Sequence, residues 1–461
     1  MTPIDVDVLV CGGGMSGTVA AIAAARAGAR TLLIERWGFL GGSATAGAVG
    51  QFVGWETEAG RRVIGGIAEE IVGRLVAGGA SPGHGYFVMS TGHRRDRVEY
   101  DPEALKPVLD ALVTDAGARV LFHAAVMAAR TKGRTIASVD LLTKAGALTV
   151  AARVVIDASG DLDLLARCGA EFLPLDASET LQPATMMFRF GPIDFARFEA
   201  VAPDALAALA RAGVADGSLA RAALHCSRLP GTDDGWFNIS RVAVDATDPF
   251  ALSAGEIEGR RQAFAAAAFL RRRVPGCAEG RLTALAPQLG IRESRRIRGL
   301  HVLQAEDLRA GRRHPDAIAM GAYPIDLHPA TGSALRFETL GPDTAYDIPY
   351  GCIVPIGFDN ALVAGRGISA THAAHAATRV MPTVMAIGQA AGSAAAQLSA
   401  ANAPAAGLDV AALRASLGRN GAVLHETIAR VDARIQPSHE TGQGEPLGDD
   451  GEQHHGVAAR Q

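Results

Sequence analysis

His372 and His375 stand three residues apart in the run 369–378. Imidazole gains and loses its charge near neutral pH, so either ring has the chemistry to take a proton from a hydroxyl or give one to a carbon. The plainer alternative is a histidine that orders its loop by hydrogen bonding. His328 and Tyr350 offer similar chemistry from less telling surroundings. A second cluster, Arg292-Glu293-Ser294-Arg295-Arg296, is confined between the apolar Leu289 and Ile297. Extended, it would put Arg292, Ser294 and Arg296 on one face and Glu293 with Arg295 on the other. It reads either as a charge lattice or as an anchor in which Arg292 and Arg296 grip an anionic or carbonyl-bearing small molecule. A guanidinium suits the second role because it binds carboxylate bidentately.

The frame for these residues is legible at residues 5–35. Val6, Val8, Leu9 and Val10 make a strand, Gly12-Gly13-Gly14-Met15-Ser16-Gly17 a turn, and the small residues through Ala27 a helix. A second strand, Thr31–Ile34, ends at the acid Glu35. Strand, glycine turn, helix and an acid about 20 residues on is the arrangement that binds a dinucleotide. Gly12 permits the tight turn, Gly14 lets backbone approach a pyrophosphate, and Gly17 lets the helix close on the strand. The helix start then offers free N–H groups to the phosphates. Glu35 can accept both ribose hydroxyls of an adenosine. The turn Gly41-Gly42-Ser43 is either a surface turn or backbone laid along a diphosphate.

With 461 residues, 48% hydrophobic and 20% charged, the chain has the composition of a soluble globular protein of about two domains. A net charge of −4 gives no footprint for nucleic acid, which disfavours a tRNA-modifying role. Its apolar stretches are alanine-rich and broken by Arg, Gln or Gly, so no membrane span is expected. The 5 cysteines are scattered with no CxxC, and the first strand begins too early for a signal peptide, which makes the cytoplasm the expected compartment. Neither HExxH nor clustered Cys/His spacing is present, so no metal is expected, and His454-His455 reads as incidental.

Asp101-Pro102 supplies the cap and first-turn proline of a helix whose stripe is Leu105, Val108, Leu109 and Leu112, ended by Gly117. Helical spacing also runs over 67–76. Strands are expected at 119–122, 125–129, 136–141 and 148–156, the last running into Asp157-Ala158-Ser159-Gly160-Asp161. Small residues after an apolar strand are how α/β sheets make room for a ligand. Residues 169–346 change character, with strand-like pieces at 186–190 and 236–242 and a helix opened by a Ser253/Glu256 capping box. The region 347–434 returns to α/β, with a strand at 361–364, the turn Gly365-Arg366-Gly367 and a helix opened by Pro382. The expected division is a dinucleotide domain from 1–50, 101–168 and 347–434, and a helix with a mobile, lid-like loop in 51–100. The remainder is an inserted α+β substrate domain at 169–346 and a polar, disordered tail at 435–461.

A glycine fingerprint answered by a Gly-Arg-Gly turn and proline-started helix late in the chain suits a two-part site around an extended dinucleotide. The chain resembles the FAD-dependent oxidoreductases with the glutathione-reductase type of fold. More narrowly it resembles a bacterial group with motifs of the form VIDATGD, GIRESRRI and NLLVAGRCISATH…RVMPTCMALGQAAG. Here these stand as Val155 to Asp161, Gly290 to Ile297 and Asn360 to Gly392, in that order. The resemblance implies an α/β fold with a discontinuous FAD-binding domain and an inserted substrate domain. It implies Gly12, Gly14, Met15, Ser16 and Gly17 at the pyrophosphate, Glu35 at the adenosine ribose, Val126 at the adenine, and Arg36 among the cofactor-binding residues. Gly42 and Ser43 would follow the diphosphate and ribityl region, with Gly365, Arg366, Thr383 and Val384 beside the ribityl chain and isoalloxazine. The wider class often has Gly-Asp where this chain has Gly365-Arg366, which leaves the ribityl partner open. His372 lies in the family-like SATH segment and is preferred over His375. The helix start at 381–383 would stabilise negative charge developing on the flavin ring. The expected activity is hydride transfer between flavin N5 and a small polar substrate, with a separate electron acceptor or donor. A flavin monooxygenase and a non-catalytic FAD-binding protein are the alternatives.

Overall fold

The computed structural model describes residues 4–88, 94–329 and 336–425. The tail at 435–461 and residues 89–93 of the lid-like segment lie outside the described residues. A seven-stranded sheet organises the molecule: β1 (Ile4–Cys11), β2 (Thr31–Ile34), β3 (Arg119–Leu121), β4 (Ala125–Lys132), β5 (Thr135–Thr143), β6 (Gly146–Asp157) and β11 (Ala361–Val363). Its order is β3-β2-β1-β6-β5-β4, with β11 also on β6. β3, β2, β1, β6 and β11 are parallel, and β4-β5 is an antiparallel hairpin on the first half of β6. Toward their carboxyl ends β1, β2, β6 and β11 are buried and almost wholly apolar because both of their faces are covered there.

Register decides where the loops emerge. Cys11 pairs with both Ile34 and Asp157, and Asp157 with Val363, so the strands end side by side. Two helices pack on one another against this sheet: α1 (Met15–Arg26) and α5 (Met381–Ala401). They cross at backbone distance, since a Cβ on Gly388 would lie 2.2 Å from the Ser16 carbonyl and one on Gly392 2.1 Å from that of Ala20. The small residues of both helices are therefore a packing requirement. α2 (Pro102–Asp115) starts as its sequence specifies, the Asp101 carboxylate accepting from the Glu103 N–H at 2.8 Å.

A second layer holds an antiparallel sheet, order β8-β9-β7-β10, from β7 (Phe188–Gly191), β8 (His225–Arg228), β9 (Gly235–Asn238) and β10 (Arg281–Leu285). With α3 (Pro249–Arg273) it builds its own apolar cluster, in which Phe188, Phe190, Phe237 and Phe269 are buried. That cluster ends near Leu289. From Ile297 the chain joins the first core, because Ile318, Met320, Tyr346 and Ile348 bury there. α3 also begins earlier than expected: Asp248, followed by Pro249, is its cap, while Ser253 bonds the Pro249 carbonyl and Glu256 accepts from Leu289 N–H.

The described part of the 78–100 segment is a hairpin, not an irregular loop. Gly83–Val88 pairs with Arg94–Glu99, which also pairs with Gln51–Phe52. The charges in Arg94–Glu99 disguised a strand whose Asp96 is buried and accepts from Gly54 and Trp55 N–H. No helix among the described residues is long and apolar enough to cross a membrane.

Candidate active site

The sheet's carboxyl edge opens into a long cleft between the two layers. At one end Gly12 turns with φ +106°, and Gly17 packs under that turn, where a Cβ would strike the Gly12 carbonyl at 1.9 Å. Gly17 is therefore behind the wall and not on it. Gly14 is different, since a Cβ there would meet nothing closer than 4.0 Å and would project into the cleft. The second glycine turn lies against the first, with Gly41 N–H bonding the Gly13 carbonyl at 2.8 Å. Gly14, Met15, Ser16, Gly42 and Ser43 line this part. α1 has no side-chain cap, and the buried Ser16 hydroxyl has no hydrogen-bond partner among the described residues, so a cradle for an anionic oxygen is present.

Glu35 lies at the outer end, its carboxylate accepting from Gly13 N–H at 2.7 Å and Trp37 N–H at 2.9 Å. Those bonds fix both oxygens beside the glycine turn and leave lone pairs for hydroxyl donors. Arg36 and Trp37 line the same end, both donating to Gln288 from the inserted layer, at 2.7 and 3.2 Å. Val126 sits on β4 opposite Leu141 and does not line the cleft.

Midway, Gly365 and Arg366 face the cleft across from Asp161. Arg366 Nη2 lies 2.5 Å from Asp161 Oδ1, which also accepts from the Ser294 hydroxyl at 2.6 Å. Burial works to raise this carboxyl, but Arg366 and Ser294 outweigh it and hold it below its ordinary value. The carboxylate at this point of the wall thus comes from the loop after β6, not from the residue after Gly365. Val380, Met381 and Val384 bring the uncapped start of α5 to the cleft, whereas Thr383 is fully buried and off the wall.

The inner end collects Arg292, Tyr323, Asp326, His328 and Arg379. Asp326 Oδ2 lies 3.1 Å from His328 Nε2, 3.7 Å from Arg379 and 3.5 Å from the Tyr323 hydroxyl. Burial opposes its ionisation, yet His328, Arg379 and Arg292 hold the carboxyl low, at about 2. Burial and the charge of Arg292 push His328 down to about 3, so it is neutral at pH 7. Arg292 is lowered to about 9 by burial and by Arg379 and Arg221, and still carries its charge. One Arg292 nitrogen donates to the Pro183 carbonyl at 2.5 Å. Asp326 and His328 are two residues apart on the strand Ile325–Leu327 and its end, a period-two spacing that puts both on one face and adds Asp326 to the His328 expected from sequence.

His372 and Arg296 are placed elsewhere. His372 opens α4 (His372–Thr378), and its Nδ1 is 2.8 Å from Oε1 of Glu293, a fully buried carboxylate. Arg296 Nε approaches the same oxygen at 3.3 Å and its guanidinium also donates to the carbonyls of Ala370 and Pro174. Neither lines the cleft. The reason is local geometry: the 292–296 segment is irregular, so Glu293 and Arg296 share the buried side while Ser294 and Arg295 turn to Asp161. Despite its burial, Glu293 is held down to about 2 by His372, His375 and Arg296. Gln182 joins the two clusters, its N–H donating to Glu293 and its side-chain oxygen accepting from His328 N–H and Arg379.

The family model for FAD-dependent oxidoreductases matches residues 7–417. No curated protein matches the chain. Solved structures with a similar course include a geranylgeranyl bacteriochlorophyll reductase-like protein from Thermoplasma acidophilum, 14% identical, with 94% of this chain and 97% of that one covered and a TM-score of 0.46. Others are p-nitrophenol 4-monooxygenase from Pseudomonas putida DLL-E4 (13% identical, 86% and 79% covered, TM-score 0.44) and anhydrotetracycline hydroxylase from Streptomyces rimosus (14% identical, 90% and 65% covered, TM-score 0.43).

Proposed function

This chain belongs to the FAD-dependent oxidoreductase family, and on that premise we propose that it exchanges a hydride with a small anionic substrate held at the inner end of the cleft. FAD is the cofactor, and when bound it supplies a two-electron acceptor or donor. The dinucleotide arrangement we infer is the two-part, glutathione-reductase type, with β1-α1 and β11-α5 supplying the halves. Gly14, Ser16 and the start of α1 would hold the pyrophosphate, Glu35 the adenosine ribose, and Asp161 with Arg366 the polyol chain. The uncapped start of α5 would face the ring system, where its dipole favours negative charge.

The observation that carries the substrate class is the pairing of Arg292 with Arg379 around one ionised aspartate, which leaves the inner end net positive. A carboxylate or an enolate-like oxygen is the group that such a pair recognises. Asp326 accepts from His328 Nε2–H, which leaves Nδ1 as a hydrogen-bond acceptor that would orient a substrate hydroxyl. The test is anaerobic reduction of the holoprotein by a panel of 2-hydroxy acids and amino acids against uncharged alcohols and sugars of the same size. Faster flavin bleaching by the anionic members is expected. Equal rates with uncharged analogues would sink the substrate class. Rapid reduction by NADPH coupled to substrate hydroxylation would replace the whole reading with a monooxygenase.

A further inference from the structure

Away from the cleft, His301, Asp307 and His314 converge. One ring nitrogen from each histidine and one Asp307 oxygen all lie within 4.8 Å of one another. The two imidazoles meet edge to face with centroids 5.1 Å apart. Nε2 of each is buried and has no hydrogen-bond partner among the described residues. Two such nitrogens side by side ask for a shared ligand. None of the three residues lines the cleft.

The positions are fixed from behind. His301 N–H bonds the Gly351 carbonyl at 3.1 Å, and a Cβ on Gly351 would lie 2.9 Å from His301 Cβ, so the histidine cannot drift. His314 N–H donates to the buried Asp347 at 2.9 Å. Asp307 sits in the short helix Ala305–Arg309, its Oδ2 accepting from Gln304 N–H at 3.0 Å and its Oδ1 lying 2.6 Å from Arg312 Nε. A carboxylate has about four lone-pair sites, so these two partners orient it without filling it. Such outer partners are what aim first-sphere ligands in metal sites. Arg312 is more than half exposed, and swinging it toward water costs little.

The geometry points to a divalent transition-metal site, two imidazoles and one carboxylate around an ion of the Zn²⁺ class, with water completing a roughly tetrahedral set. Imidazole with carboxylate suits Zn²⁺ and Co²⁺ better than Ca²⁺ or Mg²⁺, which prefer all-oxygen shells. The ion would cross-link residues 301–314 just where Leu303 bonds the backbone of Ser369 and Thr371, ahead of α4. Its role would be to stiffen that support.

The experiment uses FAD-loaded full-length protein stripped with chelator, then dialysed against ZnCl2 and analysed by atomic emission. One Zn²⁺ per chain and a raised melting temperature are expected. His314→Gln and His301→Gln, judged folded by their flavin spectra, should weaken Zn²⁺ binding by at least about 100-fold, beyond the 10–100-fold that losing an outer partner costs. Co²⁺ should give a visible d–d spectrum in the native protein and not in either variant. Native protein that takes up no Zn²⁺, or variants that bind it as well as native, would overturn the site.

Discussion

At the scale of single residues, the same side-chain types do two different jobs a few ångströms apart. A carboxylate taken fully out of water needs donors and cations, and Glu293 draws His372, Arg296 and the Gln182 N–H around itself. His372 thus serves a buried carboxylate off the cleft, while His328 stands on the cleft wall. His328→Ala should leave FAD bound and slow the chemical step by roughly tenfold, the worth of one lost orienting hydrogen bond. His372→Ala should instead lower stability by roughly 1–3 kcal/mol, the cost of an unmet buried acceptor, with little change in flavin reduction per bound FAD. Chemical denaturation and stopped-flow reduction separate the two, and the reverse pattern would return His372 to the mechanism. Arg292→Ala should weaken substrate binding at least as much as turnover. Arg292→Lys should not restore it, because an ammonium cannot reproduce the guanidinium fork. A lysine variant with native KM would exclude that contact.

At the scale of elements, the glycines of α1, α5 and the first turn divide by what a methyl group would meet. On Gly388 it would collide with the backbone of Ser16, so the two helices must separate. On Gly14 it would meet open cleft, at a φ of −64° that alanine adopts freely. Gly388→Ala should thus cost about 1–3 kcal/mol in stability, the usual penalty of overpacking. Gly14→Ala should leave the apoprotein's melting temperature near native yet weaken FAD binding, which titration of apoprotein with FAD would measure. Equal FAD affinity for Gly14→Ala and native protein would move the pyrophosphate away from this turn.

At the scale of the whole molecule, the buried polar clusters set how the fold responds to acid. His375 has both ring nitrogens buried without a hydrogen-bond partner among the described residues, its Nδ1 lying 3.9 Å from Glu293, and burial lowers it to about 3 from an ordinary 6.5. His328 is lowered likewise. Between those limits the unfolded chain binds protons that the folded one refuses, so stability is full above about pH 6.5 and falls as pH drops toward 3. Each ring contributes a slope of about 1.4 kcal/mol per pH unit. Glu293 and Asp326 act in the same sense further down. Their contribution is present above the ordinary carboxyl range and is lost as pH falls toward 2. His375→Leu should therefore flatten the acid limb between pH 6 and 4 by one proton, read from urea denaturation at each pH. An unchanged slope would mean that His375 is already charged in the fold.

The strand, turn, helix and acid at residues 5–35 were determined by the sequence alone, because glycine sterics and small-residue packing act over a few neighbouring positions. The start of α2 was equally local, set by Asp101 and Pro102. Tertiary structure decided which polar side chains face the cleft, since that depends on partners far along the chain. Glu293 claims His372 from 79 residues away, and Asp161 answers Arg366 across 205. The hairpin at 83–99 was hidden because its charged residues find partners only once the strands pair. His301, Asp307 and His314 match no metal-binding spacing, and the fold alone brings their ligand atoms together. Local backbone chemistry writes a cofactor cradle into sequence. The selection of a few polar groups for a site is made by burial, which only the folded chain defines.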